Sequence, residues 1–105
     1  MPTLKIKTLF CQVPEDNGAD EAYLVVDGQK IWGHQTIDVG QGLPVNKEVK
    51  FVNSVDIKLF DKDGPIDKDD YLGTITVTKA LKGKGEQKGK FTEDGANYTL
   101  FYQVV

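Results

Sequence analysis

VDIKLFDKDGPIDKDDYLG, residues 55–73, opens as a strand and closes as another. Val55, Ile57 and Leu59 alternate with Asp56, Lys58 and Phe60, the period-two pattern of a sheet with one face on a core. Asp61 and Asp63 continue the parity of the apolar face. A carboxylate aimed at the mouth of a core is costly unless something compensates it. Asp67, Asp69 and Asp70 follow, and Tyr71-Leu72-Gly73 begins the next strand. Five carboxylates offset only by Lys62 and Lys68 repel one another. A hard cation removes that conflict, and Ca²⁺ accepts six to eight oxygens from flexible loops of this kind. The plain alternative is a solvated acidic turn. A second acidic cluster upstream tips the balance toward calcium.

That second cluster is Gln12–Glu21, QVPEDNGADE. Pro14, Asn17 and Gly18 are turn formers, and Asp16 and Asp20 are the carboxylates to aim at a metal. With Glu15 and Glu21 the two stretches hold nine of the 16 acids and sum to −7, which leaves +4 on the rest of a chain of net charge −3. Positive charge reads as spread outside the acidic loops. All 13 basic residues are Lys. Without the guanidinium fork, bidentate phosphate or base recognition is disfavoured, so nucleic acid is not an expected partner.

At 105 residues the chain suits one domain spanning residues 1–105 with a single core. No apolar run approaches the roughly 20 residues of a membrane span, and MPTLKIKTLF alternates as a strand does, unlike a signal peptide. The compartment is unknown, with the cytoplasm as the default. Cys11 is the only cysteine and His34 the only histidine. Neither a zinc site nor a catalytic triad can be assembled from them, and no nucleophile–base pair stands out. The chain is not expected to be an enzyme.

Outward from the acidic loops, Thr3–Cys11 reads as a strand with Leu4, Ile6, Thr8 and Phe10 on one face. Leu9 and Cys11 fall on the other, which implies cover on both sides near the end of the strand. Ala22–Val26 and Lys30–Trp32 flank Asp27-Gly28, a hairpin signal because the primed turn needs positive φ. Gly33–Pro44 reads as a long connection with a short strand at Thr36–Val39. Val45–Phe51 is a strand joined to Val55–Asp61 by a tight turn at Asn53-Ser54. Tyr71–Thr78 is another strand. Lys79–Lys90, rich in Gly and Lys, reads as a solvated loop with a weak electrostatic foothold for an anionic surface. Lys88–Thr92 and Asn97–Val104 pair around Glu93–Ala96. No segment shows sustained helical periodicity. The fold class is all-β, an antiparallel β-sandwich of about eight strands. Trp32 and the tyrosines leave a carbohydrate-binding sandwich as one alternative function. A structural or protein-interaction sandwich is another.

The order of these segments resembles the C2 domain, a Greek-key β-sandwich known for calcium-dependent docking on phospholipid. The resemblance rests on Asp16-Asn17-Gly18-Ala19-Asp20 with Tyr23, on PVNKEVKF at 44–51, and on Asp61-x-Asp63 followed by Asp70 before Tyr71-Leu72-Gly73. It implies a Ca²⁺ site from Asp16 and Asp20 of the first loop with Asp61, Asp63 and Asp70 of the third. The third loop is about one residue longer than the family pattern, so Asp69 stands as an alternative to Asp70. The first loop's acids are closer together than usual, Glu21 stands where the family has Pro, and no strongly basic sheet face is evident. The resemblance implies an anionic membrane surface or a protein as partner, with Ile66 at the loop tip as the contact. DKDG at 61–64 matches part of an EF-hand loop, but the flanking helices and terminal Glu are lacking.

Overall fold

The computed structural model describes residues 1–64 and 68–105. Eight strands form two antiparallel four-stranded sheets. In chain order they are β1 (Thr3–Val13), β2 (Asp20–Val26), β3 (Gln29–Ile37), β4 (Gly42–Lys50), β5 (Ser54–Asp61), β6 (Asp70–Thr78), β7 (Gln87–Phe91) and β8 (Asn97–Val104). The first sheet has the order β4-β1-β8-β7 and the second β3-β2-β5-β6. The only helical pieces among the described residues are two three-residue 3₁₀ turns, Lys79–Leu81 and Glu93–Gly95.

Each strand contributes its apolar parity to the space between the sheets. Leu4, Leu9, Cys11, Leu24, Ile57, Leu59, Leu72, Val77, Phe91, Tyr98 and Leu100 are almost wholly buried there. Cys11 fills core volume, as a lone buried thiol does, and the Trp32 indole is part of the same cluster. At about 25 cal/mol per Å² of apolar surface removed from water, a core of this kind is the main stabilising term.

β1 corrects the simple alternation expected for it. Pairing with both neighbours shifts register between Ile6 and Thr8. Towards β8, Ile6 faces Tyr102 and Thr8 faces Phe101, so Lys7 is an extra residue. A bulge of one residue exchanges the faces of everything beyond it. Leu4 and Ile6 therefore share the inner face with Leu9 and Cys11, and Thr8 and Phe10 turn outward. The end of the strand has one fully buried side, where cover on both was expected.

Three hairpins are local: β2–β3, β5–β6 and β7–β8. The first turns on Asp27 (φ 50°) and Gly28 (φ 79°), as Asp-Gly requires. The other connections cross between sheets. The short link after β4, where a tight turn was expected at Asn53-Ser54, carries the chain from one sheet to the other. β3 runs on through Gly33 to Ile37 where a long connection was expected. Lys82, within the expected Lys-rich loop, bridges to Val104. Gly73 (φ 140°) lets β6 approach β7: a Cβ there would stand 3.1 Å from Phe91 Cα.

Charge is sorted by sheet. The strands of β4-β1-β8-β7 carry six lysines and one acid, and those of β3-β2-β5-β6 carry two lysines and five acids. The positive charge that was expected to be spread outside the acidic loops is thus concentrated in the strands of one sheet. Sequence order interleaves the strands of the two sheets and hides the sorting.

Candidate metal centre

The two acidic stretches meet at one end of the sandwich. The first is the crossover from β1 to β2, and the second is the β5–β6 hairpin loop. They meet because β2 pairs with β5, with Ala22 opposite Asp61. Two further bonds lock the junction. Glu21 N–H donates to Asp61 Oδ1 at 2.8 Å, and Lys62 N–H donates to the Glu21 carbonyl at 2.9 Å.

Within each loop one acid braces the backbone. Asp20, fully buried, accepts from Glu15 N–H at 2.8 Å and from Asp16 N–H at 2.9 Å. The buried Tyr98 hydroxyl, from β8, donates to the same carboxylate. Three donors on one carboxylate satisfy the hydrogen-bonding needs of a polar group kept out of reach of solvent. Asp69 does the matching work in the hairpin loop. It accepts from Asp63 N–H at 3.2 Å and from the Tyr23 hydroxyl, and these donors with nearby Lys62 and Lys30 hold its carboxyl below the usual range.

The remaining acids face one another. Asp16, Asp61, Asp63 and Asp70 each place a carboxylate oxygen so that all four lie within 4.8 Å of one another. Asp61 sits at the buried floor with 1% of its surface exposed, Asp63 and Asp70 are half-buried, and Asp16 is at the rim. A second grouping, Glu15, Asp16, Asp20 and Asp61, adjoins the first, and Glu15, Asp70 and Asp94 form a third. Of the six acids expected from sequence, five fall in these groupings and Asp69 falls outside them. Between the two alternatives for the last acid, the geometry brings in Asp70. Glu15 and Asp94 were not expected. Glu15 adjoins Asp16 in the sequence. Asp94 arrives from the β7–β8 turn, where its left-handed conformation (φ 57°) gives no sequence cue to its neighbours. Ile66, expected at the tip, lies outside the described residues, as do Pro65 and Asp67.

The electrostatics of this cluster are unfavourable as it stands. Burial, with the nearby Asp16 and Asp20 charges, pushes the Asp61 carboxyl up to about 7 against the opposing Glu21 N–H bond. The Asp70 carboxyl beside it pushes Asp63 up to about 6. The Asp16 carboxyl, burial and Asp70 push Glu15 up to about 9. Asp61 Oδ2 and Glu15 Oε2 are buried with no hydrogen-bond partner among the described residues. An orphaned buried carboxylate oxygen costs free energy that a native fold rarely leaves uncompensated. Four all-oxygen donors from two loops fit a hard cation such as Ca²⁺ and do not resemble the N/S sets of zinc.

The exposed Tyr71 ends a row of aromatic side chains on the outer face of the β3-β2-β5-β6 sheet. Trp32 is buried, and Tyr23 and Phe60 stack on each other at 5.4 Å. Phe60 meets Tyr71 at 5.7 Å, while Lys30 lies 5.0 Å from the other side of the row, over Tyr23.

No family model matches the sequence, and no curated protein matches it. Solved structures do match. One described as the structure of a C2 domain superposes with TM-score 0.63 at 16% identity, over 99% of this chain and 98% of its own. The paired C2 domains of extended synaptotagmin 2 match with TM-score 0.64 at 18% identity, over 98% of this chain and 39% of theirs. Human GIVD cytosolic phospholipase A2, solved with a fluorophosphonate inhibitor and terbium chloride, matches with TM-score 0.61 at 14% identity. The match spans 99% of this chain and 16% of the phospholipase, a small part of that enzyme. The fold of this chain is the C2 fold, as its segment order suggested.

Proposed function

We propose that this chain, as one domain, is a non-enzymatic calcium-binding module in which the β1–β2 and β5–β6 loops close on Ca²⁺ and present it to an anionic partner. The observation that carries the reading is Asp61 Oδ2: buried, unpartnered among the described residues, and at the floor of four converging carboxylates. Asp16, Asp61, Asp63 and Asp70 are the proposed ligands. Glu15 stands beside them, and Asp20 and Asp69 hold the two loops in shape. The bound ion would supply compensating charge and open coordination positions for an anionic oxygen. The protein's part is to gather the carboxylates, keep Asp61 dry, and fix the loops through Tyr98 and Tyr23. The partner class that follows is a phospholipid headgroup surface or an acidic protein segment.

A lanthanide titration tests the ion site. Terbium is a hard, oxygen-seeking ion whose emission is sensitised by nearby tyrosine, and Tyr98 touches the Asp20 carboxylate. Saturable sensitised emission, displaced by Ca²⁺ and absent in Asp61→Asn with Asp63→Asn, is the expected result. Emission unchanged in that double variant would overturn the assignment. Sedimentation with phosphatidylserine vesicles, with and without Ca²⁺, then distinguishes a lipid partner from a protein one.

A further inference from the structure

The β1–β2 crossover carries the dipeptide Asn17-Gly18, which belongs to none of the acidic groupings. The crossover is fixed on both sides of it. Asp20 holds the N–H groups of Glu15 and Asp16, and β2 begins at Asp20. Between these anchors Asn17, Gly18 and Ala19 are exposed and lie in no strand. Gly18 holds φ 111°, a conformation open to glycine, and a Cβ built there would meet nothing within 4 Å. Among the described residues, neither the Asn17 side chain nor the Gly18 N–H has a hydrogen-bond partner.

The other asparagines are placed differently. Asn46 is followed by Lys47 within β4. Asn97 is half-buried and is followed by the buried Tyr98 within β8. Asn53 is followed by Ser54, which pairs with Thr78. Each of these following residues carries a Cβ and lies in a sheet.

We propose that Asn17-Gly18 is a spontaneous deamidation site, which with time adds a carboxylate beside the acidic cluster. The Gly18 nitrogen attacks the carbonyl carbon of the Asn17 side chain. A new C–N bond closes a succinimide ring, and the side-chain nitrogen leaves as ammonia, carrying the proton from Gly18. Water then adds to one of the two ring carbonyls. One opening gives aspartate. The other gives isoaspartate, whose main chain runs through the former side-chain carbon. Water is the only co-reactant. Glycine favours ring closure because no side chain shields its nitrogen and its backbone turns freely, which makes this asparagine the most labile of the chain. Either product puts one more negative charge next to Asp16, on a chain of net charge −3. The Asp-Gly pairs at 27–28, 63–64 and 94–95 can close the same ring, but they lose water in doing so and end with their charge unchanged.

The test keeps the full chain in EDTA at mildly alkaline pH for days, which makes it independent of the proposed ion site. Peptide mapping by mass spectrometry locates the mass gain of amide-to-acid conversion, and an isoaspartate methylation assay detects the rearranged product. Residue 17 is expected to convert first, at close to its rate in the chain unfolded in guanidinium, while Asn46, Asn53 and Asn97 stay intact. Asn17→Gln, whose longer side chain closes its larger ring slowly, should remove the mass gain and lower the isoaspartate signal. Asn17→Asp supplies the charge at once and should lower Tm in EDTA by about 2–4 °C, the effect of one like charge a residue away in water. Conversion of Asn17 confined to the unfolded chain would overturn the proposal. So would conversion led by another asparagine, an isoaspartate signal undiminished in Asn17→Gln, or an unchanged Tm in Asn17→Asp.

Discussion

Asp61→Asn should separate the stability of the empty fold from its response to calcium, moving the two in opposite directions. Asp61 is buried, its Oδ1 is satisfied by Glu21 N–H, and its Oδ2 has no partner among the described residues. Its carboxyl is pushed up to about 7, from an ordinary value near 3.8. At about 1.36 kcal/mol per pH unit, holding this group ionised in the folded state costs at most about 4 kcal/mol. Relaxation of the rim and partial protonation reduce that figure, and the penalty for one orphaned buried polar group is about 1–3 kcal/mol. Asparagine keeps an oxygen for Glu21 N–H and offers an NH₂ to the neighbouring Asp16 carboxylate. The expected gain is about 1–2 kcal/mol in EDTA at pH 8, or a rise in Tm of roughly 5–15 °C for a chain of this size. In millimolar Ca²⁺ the variant should gain nothing further. Differential scanning calorimetry in both conditions measures the two effects. A variant that is less stable in EDTA, or that keeps the wild-type calcium response, would refute the reasoning.

The other predictions concern pH, the brace and the sheet contact. Asp61, Asp63 and Glu15 hold their protons to higher pH in the folded chain than in the unfolded one. Between about pH 4 and 9 the native state therefore binds more protons, and calcium-free stability should fall as pH rises. The lowered Asp16 and Asp69 act the other way, adding stability that is lost only as pH falls below their ordinary range. Chemical denaturation in EDTA across pH 5 to 9 checks the slope, and Ca²⁺ should flatten or reverse it. Tyr98→Phe removes the hydroxyl bond to Asp20 and should cost about 1.5–3 kcal/mol, the range for a bond to a charged group. Calorimetric Ca²⁺ titration should show weaker binding as well, because the β1–β2 loop loses its anchor. Gly73→Ala puts a Cβ against the Phe91 backbone at positive φ and should lower stability by about 1–3 kcal/mol, read from urea unfolding, with the calcium response retained.

The period-two runs and the Asp-Gly turn made the eight strands legible in sequence, since alternation and turn chemistry are local. The parity of β1 was not legible. One inserted residue at Lys7 leaves the composition of the strand unchanged and exchanges its faces. The change of sheet between β4 and β5 was not legible for a similar reason: a short link can turn back within one sheet or cross to the other, and residues 51–54 do not say which. Asp16, Asp61, Asp63 and Asp70 were legible because acids clustered at strand ends are conspicuous. The bracing roles of Asp20 and Asp69 depend on donors 78 and 46 residues away, Tyr98 and Tyr23, and only the fold brings these close. Asp94 was missed on the same ground, whereas Glu15, adjoining Asp16, was in view in the sequence but was not singled out. The sorting of lysines onto one sheet was hidden most completely, because β1, β4 and β7 are scattered along the chain.

The most direct measurement is a thermal melt of the chain in EDTA, in millimolar Ca²⁺ and in millimolar Mg²⁺. An ion held by the native state alone adds about 2.7 kcal/mol at a hundred times its Kd. The expected result is a rise of several degrees with Ca²⁺, little change with Mg²⁺, and no rise in Asp61→Asn with Asp63→Asn. Superimposable melts of the wild-type chain in all three conditions would contradict the calcium site and leave the acidic loops as solvated turns on a C2 fold.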